Sequence, residues 1–149
     1  MIEPRINANE HERKRWDLCH EIIKVFYEVY NELGCAFLEA VYEEALARAL
    51  RDAGFQAAPQ VPTPIWFRGA VIGDYRADII VNGVVLLELK ASLNIDPSHK
   101  AQPLNYLRAT EIEAGVLFNF GPKPQFHRFV FENERKGIRG DSRSFAASQ

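Results

Sequence analysis

Apolar positions set the elements before any single residue does. Cys19, Ile22, Ile23, Phe26, Val29, Tyr30 and Leu33 recur at the i, i+3, i+4, i+7 spacing of one helix face. This predicts a helix from about residue 10, stopped by Gly34 in the manner of a C′ glycine. A second helix is expected over 36–53, with Leu38, Val41, Ala45, Leu46 and Ala49 as its apolar face and Gly54 as its end. The period then changes. Val, Ile, Trp and Phe, broken by turn signals at Arg68-Gly69 and Asn82-Gly83, predict three antiparallel strands over 61–68, 70–81 and 84–91. Asp96-Pro97 reads as N-cap and N1 of a third helix, 97–109. Apolar runs over 114–120 and 126–131 supply two more strands, the first placed parallel to its neighbour by the helix between them. The order α-α-β-β-β-α-β-β is an α/β sandwich with a central mixed sheet flanked by helices. One domain over 10–132 follows, with a loose lead-in (1–9) and a loose polar tail (133–149).

One strand is unusual. In "GVVLLELKAS" (83–92), Glu88 and Lys90 interrupt the most strand-like run in the chain. Residues two apart on a strand share a face, so the two charges stand together, with Val85, Leu87 and Leu89 behind them. Asp78, on the preceding strand, joins that face only if the turn between them has the right length. A strict two-residue Asn82-Gly83 loop pairs Asp78 with Leu87, whereas a three-residue or bulged loop restores it to the face of Glu88. The alternation Ala77, Ile79, Val81 favours the second. Two carboxylates and a lysine converging on one site suit a hard cation such as Mg²⁺ or Mn²⁺, which binds oxygen and keeps water for a phosphate. The Leu89 carbonyl offers a further oxygen. Lys90 offers a proton acceptor for the attacking water or a counter-charge for phosphate. The plain alternative is a salt-bridged surface strand, and an E-x-K tripeptide alone would not displace it.

Composition narrows the picture little. The 149 residues are 47% hydrophobic and 26% charged, as in globular proteins, and the formal net charge of −2 advertises no nucleic-acid surface. "RKR" at 13–15 is a solvated helix face before it is a phosphate patch. The two cysteines, Cys19 and Cys35, fit reduced, buried thiols in a cytoplasmic protein. The start has no apolar signal-peptide core, and no run reaches the length of a membrane helix.

The spaced motifs do more. "YRADIIVNGVVLLELK" resembles the PD-(D/E)xK nuclease signature, with Asp78, Glu88 and Lys90 in its three positions. "LGCAFLEAVYEEAL" (33–46) is similar to the segment that names the GxxExxY proteins, a bacterial branch of that superfamily. "VPTPIWFRGAVIGDYRADIIV" and "HKAQPLNYLRAT" agree with that branch, so the likeness spans about 15–131. It implies a restriction-endonuclease-like fold and a Mg²⁺- or Mn²⁺-dependent nuclease acting on DNA, working as a homodimer or with a protein partner. By the same likeness Glu39 joins Asp78, Glu88 and the Leu89 carbonyl at the metal, directly or through water. Gln102 and Tyr106 match a Q-x-x-x-Y element and join the catalytic set. Tyr42, Arg76 and His99 are weaker substrate-binding candidates, each with a bland reading beside it: core packing, a solvated strand arginine, a helix-start histidine. Two departures stand out. Ala36 occupies the place of the motif glycine, and Pro103 lies inside the third helix. The alternative to an enzyme is a catalytically silent nucleic-acid- or protein-binding module on the same fold.

Overall fold

The computed structural model describes residues 8–136. Helix α1 (Ala8–Leu33) leads into α2 (Glu39–Asp52). Strands β1 (Ala57–Phe67), β2 (Ala70–Val81) and β3 (Val85–Lys90) follow, then α3 (Pro97–Ala109), β4 (Ala114–Phe120) and β5 (Pro124–Val130). A 3-10 turn, Asn133–Lys136, comes last. The five strands lie in one sheet in the order β1-β2-β3-β4-β5, so sequence neighbours are also spatial neighbours. Every pairing is antiparallel except β3 with β4, where α3 makes the crossover. This mixed sheet between helices is a restriction-endonuclease-like α/β fold. No helix among the described residues is long and apolar enough to cross a membrane.

The two faces of the sheet bury different amounts of apolar surface. On one, α1 and α2 pack Ile22, Phe26, Tyr42, Leu46 and Leu50 against Ile79, Val85, Leu87, Leu89 and Phe118. Phe26 stacks on Phe118 with ring centroids 4.3 Å apart, and Tyr42 on Phe120 at 4.1 Å. On the other, α3 contributes Tyr106 and Leu107 to a smaller cluster with Ala77, Ile80, Leu86, Leu117 and Phe129. β4 is buried along its whole length because helices cover both faces.

Several expectations shift. α2 begins at Glu39, not residue 36, because 34–38 form a turn with positive φ at Gly34 (69°) and Ala36 (88°). Its buried stripe is Tyr42, Leu46, Ala47 and Leu50, while Leu38 and Val41 face outward, 78% and 41% exposed. Cys35 lies on that turn and is exposed, so only Cys19 is a buried thiol. α3 runs through Pro103 without interruption, its start fixed by a capping box between Asp96 and His99. The polar segment after β5 starts as structure: Lys136 is buried and donates to the carbonyls of Thr110 (3.0 Å) and Ile112 (2.9 Å), beyond the end of α3. The remainder of the expected lead-in and tail, residues 1–7 and 137–149, lies outside the described residues.

Tyr42 organises the α1–α2 turn. Its hydroxyl donates to the Gly34 carbonyl (2.6 Å) and accepts from the Phe37 amide (3.2 Å), and the residue is fully buried. A substrate cannot reach it, so its place in the motif is structural and the substrate-binding expectation is withdrawn. Ala36, on the same turn, carries a backbone that glycine adopts without strain. Ala36→Gly is expected to stabilise the protein by about 1 kcal/mol, the relief of left-handed strain less the added freedom of the unfolded chain. Urea unfolding of the two proteins measures it, and equal midpoints would show that the turn carries no such strain.

Candidate active site

The β2–β3 connection decides the site. Val81 pairs with Val85, leaving a three-residue loop, Asn82-Gly83-Val84, with positive φ at Asn82 (52°) and Gly83 (70°). Asparagine and glycine are the residues that tolerate this backbone. The Asn82 carboxamide also accepts from the Gln56 amide at 2.8 Å, tying the loop to the start of β1. The register continues Ile80 with Leu86 and Ile79 with Leu87. One step further it sets Asp78 across from Glu88, as the odd-length loop requires.

Backbone pairing stops at that step. The next β3 amide, of Leu89, donates to Asp78 Oδ2 at 2.8 Å instead of to a β2 carbonyl. Asp78 therefore replaces a rung of the ladder with its side chain. The facing of β2 inverts at the same place. Ile79 and Val81 pack under α1 and α2, whereas Ala77 and Tyr75 belong to the α3 side. The expected run Ala77, Ile79, Val81 on one face is thus broken. Gln60, level with Asp78 on β1, takes a positive φ of 51°, so both strands bend together.

The bend brings Tyr75 to the site, which sequence alternation had not selected. Its hydroxyl donates to Glu88 Oε1 at 2.7 Å. Burial and the Glu88 charge raise this hydroxyl far above its usual range, so it stays a donor. Arg76 is turned out to solvent by the same bend. The second addition is Gln60, which donates to Glu43 (2.9 Å) and approaches Asp78 Oδ1 at 3.5 Å. Tyr75 opens the quoted nuclease-like stretch but lies outside its three motif positions, and Gln60 lies outside the quoted stretches; the bent pairing of β1 with β2 points to both.

Glu88 is 4% exposed, and no ion pair among the described residues includes it, Asp78 or Lys90. Burial and then the Asp78 charge push its carboxyl up to about 8. Asp78 is also raised, by burial, against the opposing pull of the Leu89 amide, a hydrogen bond with Glu88 and the Lys90 charge. Lys90, half-buried on the same strand, acts on both carboxylates through space. Just beyond it the buried Asn119 takes the Ser92 amide (2.9 Å) and donates to the Ser92 carbonyl (2.9 Å), so the strand end that carries Lys90 is held from β4.

The other expected residues fall in separate places. Glu39, at the start of α2, accepts from the Ala91 amide at 3.3 Å and adds negative potential at Asp78. Tyr106 packs beside Tyr75, ring centroids 5.2 Å apart, and accepts from the Thr63 hydroxyl at 2.8 Å. It therefore touches the site through Tyr75. Gln102 is exposed and makes no hydrogen bond among the described residues. His99 is a capping residue: its Nδ1 accepts from the Asp96 amide at 3.2 Å, so it closes α3 and the substrate-binding expectation for it is withdrawn.

The donor chemistry fits a hard divalent cation. Two adjacent carboxyls, one of them buried, have no cationic partner within ion-pair distance among the described residues. Each has one oxygen fixed by a donor, Asp78 Oδ2 by Leu89 and Glu88 Oε1 by Tyr75, while Gln60 stands 3.5 Å from Asp78 Oδ1. Among the described residues no three Asp, Glu, His or Cys side chains group closely enough to hold an ion by themselves. Two carboxylates with the remaining positions left to water and phosphate is the coordination that Mg²⁺ accepts.

A sheet of this topology, with an acidic pair and a lysine on its bent central hairpin, defines a nuclease-type fold. The chain belongs to the PD-(D/E)XK nuclease superfamily, whose sequence model matches residues 16–129. The crystal structure of SSO0001 is similar at a TM-score of 0.52 and 22% identity, over 74% of this chain and 59% of that one. That likeness supports the fold, and the chain spans little more than half of the solved one. No curated protein sequence matches the chain.

The buried carboxyl carries a pH signature. Without a cation the folded state holds the Glu88 proton more tightly than the unfolded chain, whose value is near the ordinary 4.5. Its contribution is complete below that pH and is lost as pH rises through about 8. Thermal melts in EDTA are expected to show wild type losing stability relative to Glu88→Gln across this window. Parallel pH profiles for the two proteins would contradict the burial of an ionisable group at this position.

Proposed function

We propose that this protein is a Mg²⁺- or Mn²⁺-dependent nuclease that hydrolyses phosphodiester bonds, with DNA as its substrate. The observation that carries the reading is the carboxyl pair Asp78–Glu88, without an ion-pair partner among the described residues, beside Lys90 on a hairpin whose ladder is broken at Asp78. Asp78, Glu88 and the Leu89 carbonyl would hold the ion, with Glu39 acting through water. The bound ion supplies positive charge at the phosphate and lowers the pKa of water. Lys90 faces the same point and offsets negative charge on the phosphate or takes the proton of the attacking water. Tyr75 keeps Glu88 Oε1 engaged so that the carboxylate presents its other oxygen. Tyr106 braces Tyr75, and Gln102 and Arg76, both exposed, are free to meet the nucleic-acid backbone.

The narrower placement among the GxxExxY proteins is part of this proposal. It is supported by Glu39 and Tyr42 at the start of α2 and by the positive φ at Ala36, where the motif has glycine. A cytoplasmic location accords with the single buried thiol and with the absence of a spanning helix among the described residues. A homodimer or a protein partner would add the binding surface that a chain of net charge −2 provides weakly.

The second reading is a silent nucleic-acid- or protein-binding module, favoured by the lack of a three-ligand group among the described residues. Incubating labelled single- and double-stranded DNA and RNA with Mg²⁺ or Mn²⁺ separates the two. Cleavage that EDTA abolishes, and that Lys90→Ala or Glu88→Gln lowers by about 100-fold or more, is the expected result. No cleavage with any metal, with no heat of Mg²⁺ or Mn²⁺ binding, would sink the enzyme. Salt-dependent DNA binding indifferent to Lys90→Ala would then establish the module.

A further inference from the structure

A cleft of about 310 Å³ opens beside the carboxylate pair, between the β1–β2 ribbon and α3. Thr63, Ile65 and Tyr75 line it from the ribbon, and Asn105, Tyr106 and Ala109 from the helix. β1 and β2 make this wall possible because β3 pairs only with the far end of β2, from Ile79 to Val81. The rest of the ribbon has only β1–β2 pairing, and Thr63 and Tyr75 on it meet Tyr106 of α3. Its tyrosine is the residue that holds Glu88, so the cleft lies one side chain from the acidic pair.

Three features give the cleft a chemistry. The Tyr75 and Tyr106 rings sit together, tilted by 55°; the Tyr75 hydroxyl donates to Glu88, and the Tyr106 hydroxyl accepts from Thr63. Tyr106 is buried, so the aromatic surface offered to a ligand is that of the half-buried Tyr75. Ile65 is 37% exposed although it faces this cleft, which leaves an apolar wall uncovered. Asn105 is exposed and its carboxamide has no hydrogen-bond partner among the described residues, so a donor and an acceptor stand at the rim. Aromatic surface, an apolar wall and one amide are what a heteroaromatic ring with a polar edge requires. The volume is at the small end for ligand pockets, enough for one such ring system.

We propose that this cleft binds one unpaired nucleobase of a single-stranded substrate, next to the phosphate that a cation at Asp78 and Glu88 would hold. Bases inside a duplex are stacked and paired and cannot enter it without being extruded, so the cleft selects single strands or frayed ends. The proposal rests on the nuclease reading and names the substrate of that same site.

Affinity measured by fluorescence anisotropy in EDTA, which prevents cleavage, tests it. The probes are a short single strand of thymidylate and a strand of the same length built of abasic nucleotides. Wild type is expected to prefer the intact strand by about tenfold. Asn105→Ala, which removes the rim amide, and Ala109→Leu, which fills the cleft, are each expected to bring that preference close to unity. Both should leave affinity for the abasic strand unchanged. No preference in wild type, or a preference that survives both substitutions, overturns the cleft while cleavage by wild type keeps the nuclease reading intact. A wild type that neither binds nor cuts any strand overturns both.

Discussion

The Asp78 carboxylate, hydrogen-bonded to the Leu89 amide where a backbone carbonyl would ordinarily be, is the interaction on which the site depends. A β ladder that continued past Ile79 and Leu87 would have buried this amide against β2 and left the two strands flat. Substituting a side chain for one rung satisfies the amide, which would otherwise be buried unpaired, and lets the strands part. Into the gap come an acidic pair on the α3 side, Tyr75 from the inverted half of β2 and Lys90 from the far end of β3.

The surroundings keep that arrangement fixed. The Asn82-Gly83-Val84 loop sets the register from one end, and a change of one residue there would rotate every β3 side chain to the other face. Asn119 pins the chain after Lys90 from the other end. Gly121, close by, has no room for a side chain: a Cβ there would stand 2.1 Å from the Ser92 carbonyl oxygen. Leu87 and Leu89 anchor the back of β3 in the larger core, so the polar face cannot turn inward. The carboxylates are held together against their own repulsion by a packed scaffold, which is how proteins keep poised acidic groups.

This arrangement also divides the motif residues into two kinds. Glu39 and Tyr42, three apart on α2, share a side of the helix but do different work: the glutamate reaches the end of β3, and the tyrosine closes the α1–α2 turn inside the core. His99 closes a helix. Motif spacing by itself does not separate these roles, because a residue that builds the turn beneath a site recurs as reliably in sequence as one that touches substrate.

Much was legible in the sequence because it is local. The eight main elements, the parallel step at α3, the Asp96 cap and the odd-length hairpin loop all follow from period, turn residues and the need to keep apolar side chains on one face. So does the sharing of a face by Glu88 and Lys90, which strand geometry enforces. What the tertiary structure decided is what depends on two strands at once. The inversion of β2 at Asp78 requires Gln60 on β1 to bend with it, and no pattern within β2 announces it, so alternation puts Ala77 on the wrong face and does not select Tyr75. The outward turn of Leu38 and Val41 has the same origin: α2's rotation is set by where Tyr42 finds Phe120, a contact between residues 78 positions apart. Periodicity determines which residues travel together on one element; only the packing of one element on another determines which way the set faces.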